Sequence, residues 1–138
     1  MPCLAGGRVA ERKLISSGGP FEAAFGYSRA VVVGDSCWVS GTTDAGPDGE
    51  SLHPGDAGAQ ARAVWQIIET ALDTAGFALR DVVRVRMYLT SIADAQAVLD
   101  VHRDRFGEIR PAATLVEVSG LLEPSMLVEI EAEARRAG

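Results

Sequence analysis

The chain of 138 residues has only two histidines and two cysteines, too few and too scattered for a metal centre. Cys3 and Cys37 form no Cys-x-x-Cys pair, and His53 and His102 share no His-x-His or His-x-x-Glu spacing, so no metal is expected. Cys37 falls in an apolar run, where a thiol without a nearby histidine reads as a small buried hydrophobe. Neither GxGxxG nor GxxxxGK occurs, which removes the common phosphate-cradling loops and, with them, the expectation of a nucleotide cofactor. Lysine and arginine number 13 against 19 aspartates and glutamates, a formal charge of -6 with no basic cluster. A general nucleic-acid binder would show a basic patch or stripe, so nucleic acid is not an expected partner. No apolar run approaches the roughly 18 residues of a membrane span. The opening MPCLAGGRVAERK lacks the apolar core of a signal peptide. No membrane partner and a cytoplasmic location are therefore expected.

What is present is the balance of an ordinary globular chain, 47% apolar and 23% charged residues, long enough for one domain over 1–138 with residues 1–11 as a flexible tail. A short strand is expected over Arg12–Ser17, closed by Gly18-Gly19-Pro20. Phe21–Ser28 is too irregular for a regular element. The β-rich runs Ala30–Val33 and Ser36–Ser40 flank Gly34-Asp35, a hairpin signal. The polar, turn-rich stretch Asp44–Gly58 is the expected mobile loop; it holds His53, with nothing near it in sequence to complete a dyad. From Ala57 to Ala75 the period becomes helical through Ala61, Val64, Trp65, Ile68, Ala71 and Leu72, with Asp56 as N-cap and Gly76 as stop. Val82–Leu89 alternates, placing Val83, Val85, Met87 and Leu89 on one face and Arg84, Arg86 and Tyr88 on the other. A second helix is expected over Ala93–Phe106, with Ser91 as cap, Gly107 closing it, and Ala95, Val98, Leu99, His102 and Phe106 on its inner stripe. His102 reads there as a packed residue rather than a base.

The C-terminal stretch RPAATLVEVSGLLEPSMLVEIE holds the most suggestive chemistry. A strand over Ala112–Val118 is followed by a Gly- and Pro-marked connection and a strand from Met126 to about Ala134. Glu129, Glu131 and Glu133 alternate with Val128, Ile130, Ala132 and Ala134, so three carboxylates file along one face. The order β-β-β-α-β-α-β-β makes an α+β fold, a six-stranded mixed sheet with two helices on one face. The uncovered face, carrying Arg84, Arg86, Tyr88 and the glutamates among apolar residues, is too polar for a closed core and too structured for bare solvent. Subunit association would resolve it.

RPAATLVEV and LVEIEAEA, with FGYSRAVVVGD, WVSGTT and DVVRVRMYLT upstream, resemble the Rid family (reactive intermediate deaminases, also called YjgF or L-PSP proteins) over nearly the whole chain. The resemblance implies a chorismate mutase-like subunit in a homotrimer whose sheets form a central barrel, with small-molecule ligands held in inter-subunit clefts. It implies cofactor-free hydrolysis or tautomerisation of an imine or enamine. Glu129 aligns with the carboxylate that directs water or moves a proton, and Tyr27 with the phenol that hydrogen-bonds the ligand. Ser40, Gly41 and Thr42 correspond to the turn whose backbone cradles it, and Ala113 and Thr114 to the substrate end of the penultimate strand. A structural reading stands beside each: the glutamates could pair with Arg84 and Arg86 across neighbouring strands, and Tyr27 could be an interface residue. Family deaminases carry an arginine after Pro-Ala that forks onto a substrate carboxylate. Here Ala113 stands in that place, and a methyl group cannot make that contact, so simple amino-acid imines are not the expected substrates. Arg110, three residues earlier, points to the opposite face and is expected in a structural ion pair. A non-catalytic binding trimer using the same cleft is the alternative. An older family name invokes RNA cleavage, which the charge does not support.

Overall fold

The computed structural model describes residues 11–137. The elements run β1 (Arg12–Ile15), α1 (Glu22–Phe25), β2 (Ala30–Val33), β3 (Ser36–Thr42), α2 (Ala57–Ala75), β4 (Val82–Leu89), α3 (Ala95–Phe106), β5 (Ala112–Glu117) and β6 (Val128–Arg135). The six strands form one mixed sheet in the order β1-β2-β3-β6-β4-β5. All neighbours pair antiparallel except β4 and β5. Because β6 runs antiparallel to both β3 and β4, those two strands are parallel. The crossovers β3-α2-β4 and β4-α3-β5 both progress in one direction across the sheet, and right-handed crossovers then place both helices on the same face.

The core lies between that face and the helices. Trp65, Ile68 and Leu72 of α2, Val98 and Phe106 of α3, and Val85, Met87, Ile130 and Ala132 of the sheet are buried together. Asp56 caps α2 as expected, accepting from Ala59 N at 3.0 Å, and Gly76 ends it in the left-handed region at φ 85°. The helical period and these caps agree, which is why the α2 boundaries were readable. His102 packs against Trp65 and Phe106, and burial lowers its pKa. Cys37 is buried in β3, and desolvation, partly offset by Arg136, pushes its thiol up to about 11. Cys3 and the tail up to residue 10 lie outside the described residues.

Several expectations are corrected. Phe21–Ser28 contains the short helix α1, ended by Gly26 at φ 79°. A register shift between Val82 and Arg84 puts Val82 in the core and leaves Val83 exposed, so strict alternation over β4 fails at its first residues. In α3, Leu99 is exposed and Val101 buried; a 3-10 turn over Ile92–Asp94 precedes the helix, and Ser91 caps that turn rather than α3. Gly107 keeps a right-handed φ of -55°, and the chain turns at Arg110, whose φ is 57° and whose N–H donates to Phe106 O at 2.8 Å. Arg110 is exposed and forms no ion pair among the described residues.

The expected mobile loop is instead well tied. Ala45 bridges Ser51, Gly46 N donates to Glu50 O, and Ser51 N donates to Ser125 Oγ at 2.8 Å. Buried Gln60 of α2 holds both flanks, donating to His53 O and Ser125 O and accepting from Leu127 N. Buried polar groups of this kind are costly unless paired, so the network fixes the loop on the fold.

Candidate active-site cleft

On the sheet face away from the helices, the glutamate file divides in two. Arg86 Nη1 lies 3.1 Å from Glu133 Oε1 and 3.7 Å from Glu131 Oε2, and Tyr88 donates its hydroxyl proton to Glu131. Those hydrogen bonds and charges raise the pKa of both Arg86 and Tyr88, the first through Glu133 and the second through Glu131. Arg84, the other expected partner, instead donates to Thr114 Oγ1 at 2.9 Å. Glu131 and Glu133 are thus structural, as partly exposed pairs of small net value.

Glu129 differs from its neighbours. It forms no ion pair and accepts no hydrogen bond among the described residues. Burial raises its pKa, Arg29 partly opposes the rise, and Glu131 adds to it. Its position comes from an irregularity in β3. The β3–β6 register shifts between Val39 and Thr42, so Ser40-Gly41 bulges and leaves space into which the Glu129 side chain lies flat. A Cβ built on Gly41 would sit 2.9 Å from Glu129 Cδ and overlap Oε2. Glycine is required here by close approach.

A cleft of about 90 Å³ opens at this point, lined among others by Glu129, Gly41, Tyr27, Arg29, Glu22 and Met126. Tyr27 sits where the chain leaves α1 for β2, with Arg29 over its ring, 5.5 Å from the centroid. Arg29 is buried, its Nη2 donates to Gly41 O at 2.8 Å, and its Nε has no partner. Its carbonyl accepts from Ser40 N. Arg29 therefore grips the bulge from two sides and sets a positive charge near Glu129. Glu22 carries the opposite shift. Burial pushes its pKa up, but hydrogen bonds from Ser17 and Ser16, with the charge of Arg29, bring it below the ordinary value. The cleft thus pairs a carboxylate held ionised with one held more basic, a separation that suits proton transfer.

Of the residues singled out by sequence, Tyr27, Gly41 and Glu129 meet in this cleft. Ser40 and Thr42 flank it with their hydroxyls already committed, Ser40 donating to Ser28 O at 2.7 Å and Thr42 to Ser40 O at 2.7 Å. Ala113 and Thr114 lie elsewhere. Both are on β5, an exposed edge strand, and Thr114 shares the polar face while Ala113 alternates to the other. Sequence reading missed Arg29 and Glu22. The signal for Arg29 was a charged residue inside the FGYSRAVVV run, where a strand is entering a core; Glu22, three residues before that run, carried none.

His53 also departs from expectation. Its Nδ1 lies 3.0 Å from Asp44 Oδ2, so a partner nine residues back completes the pair that the neighbouring sequence lacked. Among the described residues no group of three or more His, Cys, Asp or Glu could hold a metal ion, and no helix is long and apolar enough to cross a membrane.

The family model described as Endoribonuclease L-PSP matches residues 19–136. The 3-aminoacrylate deaminase RutC of Acinetobacter baylyi is 36% identical over 108 residues, covering 78% of this chain and 85% of that protein. The crystal structure of Rv2704 from Mycobacterium tuberculosis, a YjgF/YER057c/UK114 family member, superposes with a TM-score of 0.82 at 46% identity, over 91% of this chain and all of that one. The YjgF structure from Escherichia coli gives 0.76 at 30% identity, over 91% and 99%. A family model that matches residues 19–136, with relatives above 30% identity over most of both chains, shows that the chain belongs to the Rid/YjgF/L-PSP family.

Proposed function

We propose that this protein is a cofactor-free hydrolase of imines or enamines, with Glu129 as its proton-transfer group. The observation that carries the reading is the half-buried Glu129 carboxyl, lying on Gly41 without an ion pair while Arg86 takes Glu131 and Glu133. A glutamate present for strand pairing would be expected among those pairs. A carboxyl with a raised pKa can take a proton from water as the oxygen attacks the iminium carbon, then return it to nitrogen as the carbinolamine collapses. The net change is iminium plus water to carbonyl plus ammonium. Tyr27 supplies a hydroxyl and a ring wall, and the Ser40–Thr42 backbone cradles the ligand. The named activity of the Acinetobacter relative, on 3-aminoacrylate, is of this chemical class.

The cleft is completed by a homotrimer. Leu14, Val33, Trp38 and Val116 are exposed along the sheet, beside the Arg86–glutamate network, and β5 offers a free edge at which Ala113 and Thr114 would meet a neighbour's ligand. Light scattering showing a stable monomer would remove this part of the proposal. With alanine at 113 the substrates are imines without a carboxylate to anchor. The location is cytoplasmic, and the acidic chain has neither nucleic acid nor membrane as partner. A ribonuclease reading, which the family description suggests, is disfavoured by the charge of -6.

Freshly generated 2-aminoacrylate and an imine lacking any charged side chain, each offered to wild type, Ala113→Arg and Glu129→Gln, test the reading. Wild type should hydrolyse the uncharged imine, Ala113→Arg should gain activity on 2-aminoacrylate, and Glu129→Gln should lose the activity on the uncharged imine. Inactivity of wild type and Ala113→Arg on both compounds would sink the enzyme reading in favour of a ligand-binding trimer, for which the missing anchor at Ala113 is the favouring observation.

A further inference from the structure

Without a carboxylate anchor, a substrate of the Glu129 cleft has to be held by other contacts. Ser17, Ala45 and Ile67 line that cleft and also line a second cavity, between α2 and the loop that follows β3. The cleft has about 90 Å³ and the second cavity about 520 Å³, so the room for a substrate body lies beyond those three residues. Its size falls within the range of small-molecule sites. The wall of this cavity is a stripe of α2 that the core does not use. The core-facing stripe runs through Ala61, Val64, Trp65, Ile68 and Leu72. Ala63, Ile67 and Thr70, spaced by four and three, form a second stripe, and all three line the cavity.

On the loop, Leu52 is 62% exposed and lies on Gly46, where a Cβ would stand 2.8 Å from its Cδ2. Ile67 is only partly buried. Both leave apolar surface in water that the apolar body of a ligand would cover. No lysine or arginine lines the cavity, and its one carboxylate, Asp44, accepts from Ser51 Oγ and His53 N. An anionic tail would be desolvated there without a partner. We infer, resting on the imine chemistry proposed for Glu129, that the substrates carry an extended apolar body, which passes over Ala45 and Ile67 into this cavity. Ile67, common to both spaces, is then a specificity-determining residue. Apolar contact takes the place of the ion pair that an arginine at position 113 would make. Each methylene buried is worth about fourfold in binding, so a chain of a few carbons supplies what a single charged anchor would.

Propan-1-imine, pentan-1-imine and heptan-1-imine, generated from the matching primary amines by an amine oxidase, test the inference through ammonium release by the full-length protein. From the shortest to the longest, kcat/KM should rise by about thirtyfold or more, and 7-iminoheptanoate, of equal length but ending in a carboxylate, should gain nothing over propan-1-imine. Ala63→Trp and Thr70→Trp, each filling the cavity from α2, should flatten the rise to about threefold or less; Thr70 is exposed, so its variant decides should Ala63→Trp disturb the helix. Equal kcat/KM along the series in wild type overturns the inference. So does a rise that Thr70→Trp leaves intact, because the apolar body would then lie elsewhere, against Phe21 and Leu122 at the cleft. Heptanamide and propanamide, which imine chemistry does not consume, separate binding in the cavity from turnover in the cleft. Heptanamide should give saturable amide shifts at Ala63, Ile67 and Thr70, and propanamide none there. If no imine is turned over while heptanamide binds in this way, the imine chemistry falls and the apolar site stands. If heptanamide gives no such shifts, the apolar site falls whatever the turnover.

Discussion

Replacing Gly41 by alanine adds one methyl group at the point where Glu129 rests, and the local geometry sets its cost. The added carbon would stand 2.9 Å from Glu129 Cδ and overlap Oε2, whereas comfortable carbon contacts begin near 3.5 Å. Gly41 has no positive φ, so the backbone accepts alanine and the whole penalty comes from the carboxyl. Glu129 must withdraw by about 1 Å or the bulge must give way, at a cost of about 1–3 kcal/mol. A shift of that size in a catalytic group is worth about a hundredfold in rate. The stability cost should belong to the pair rather than to either residue. In a Glu129→Ala background the same substitution should cost close to nothing, giving a coupling of about 1–3 kcal/mol in a double-mutant cycle by urea unfolding. An equal cost of Gly41→Ala with and without the Glu129 side chain would refute the argument, because the glycine would then serve the bulge and not the carboxyl.

Three further outcomes are expected from local features. The folded state holds the Glu129 proton more tightly than the unfolded chain does, so stability falls as pH rises from the ordinary carboxylate range through the raised value. Glu129→Gln should therefore be the more stable protein at neutral pH, the difference closing below about pH 4 in urea titrations; an equal gap at both pH values would contradict the assignment. The Cys37 thiol, pushed up to about 11, should react in a Cys3→Ser background about a hundredfold more slowly with a disulfide reagent than an ordinary thiol, and speed up on denaturation. Arg110→Gly should raise stability by up to about 1 kcal/mol, seen as a higher Tm, because it relieves a left-handed φ of 57° on an exposed side chain; an unchanged or lower Tm would show that the side chain contributes a contact of its own.

The sequence carried the architecture wherever a local period coincided with its punctuation. The α2 apolar stripe sits between Asp56 and Gly76, and both do what their types do at helix ends. The β6 alternation is unbroken from Val128 to Ala134. Failures occur where one residue shifts the phase. Val83 looks like a core residue because the alternation in VVRVRMYL counts cleanly from either end, and only the β6 partner reveals the extra residue. In α3 the buried stripe runs through Val98, Val101 and Phe106, so Leu99 and Val101 exchange places; both spacings fit a helix, and the local period does not choose between them.

The candidate site was legible for residues that declare themselves by type and position, and opaque for those defined by contact. Glu129 could be placed on a face with Glu131 and Glu133, but nothing in LVEIEAEA separates it from its neighbours. The separation is made by Arg86, which reaches two of the three, and by Gly41 on another strand. Arg29 is the clearest case. In sequence it interrupts an apolar strand entry and would be written off as a surface charge. In the fold its guanidinium is buried against Tyr27, holds Gly41 O, and opposes the desolvation of Glu129. Removing that charge should push the Glu129 pKa higher still. Carboxyl carbon NMR of Arg29→Gln against wild type would read this directly, with no substrate needed. A Glu129 titration unmoved by the substitution would mean that burial alone sets its basicity, and that Arg29 serves only the bulge.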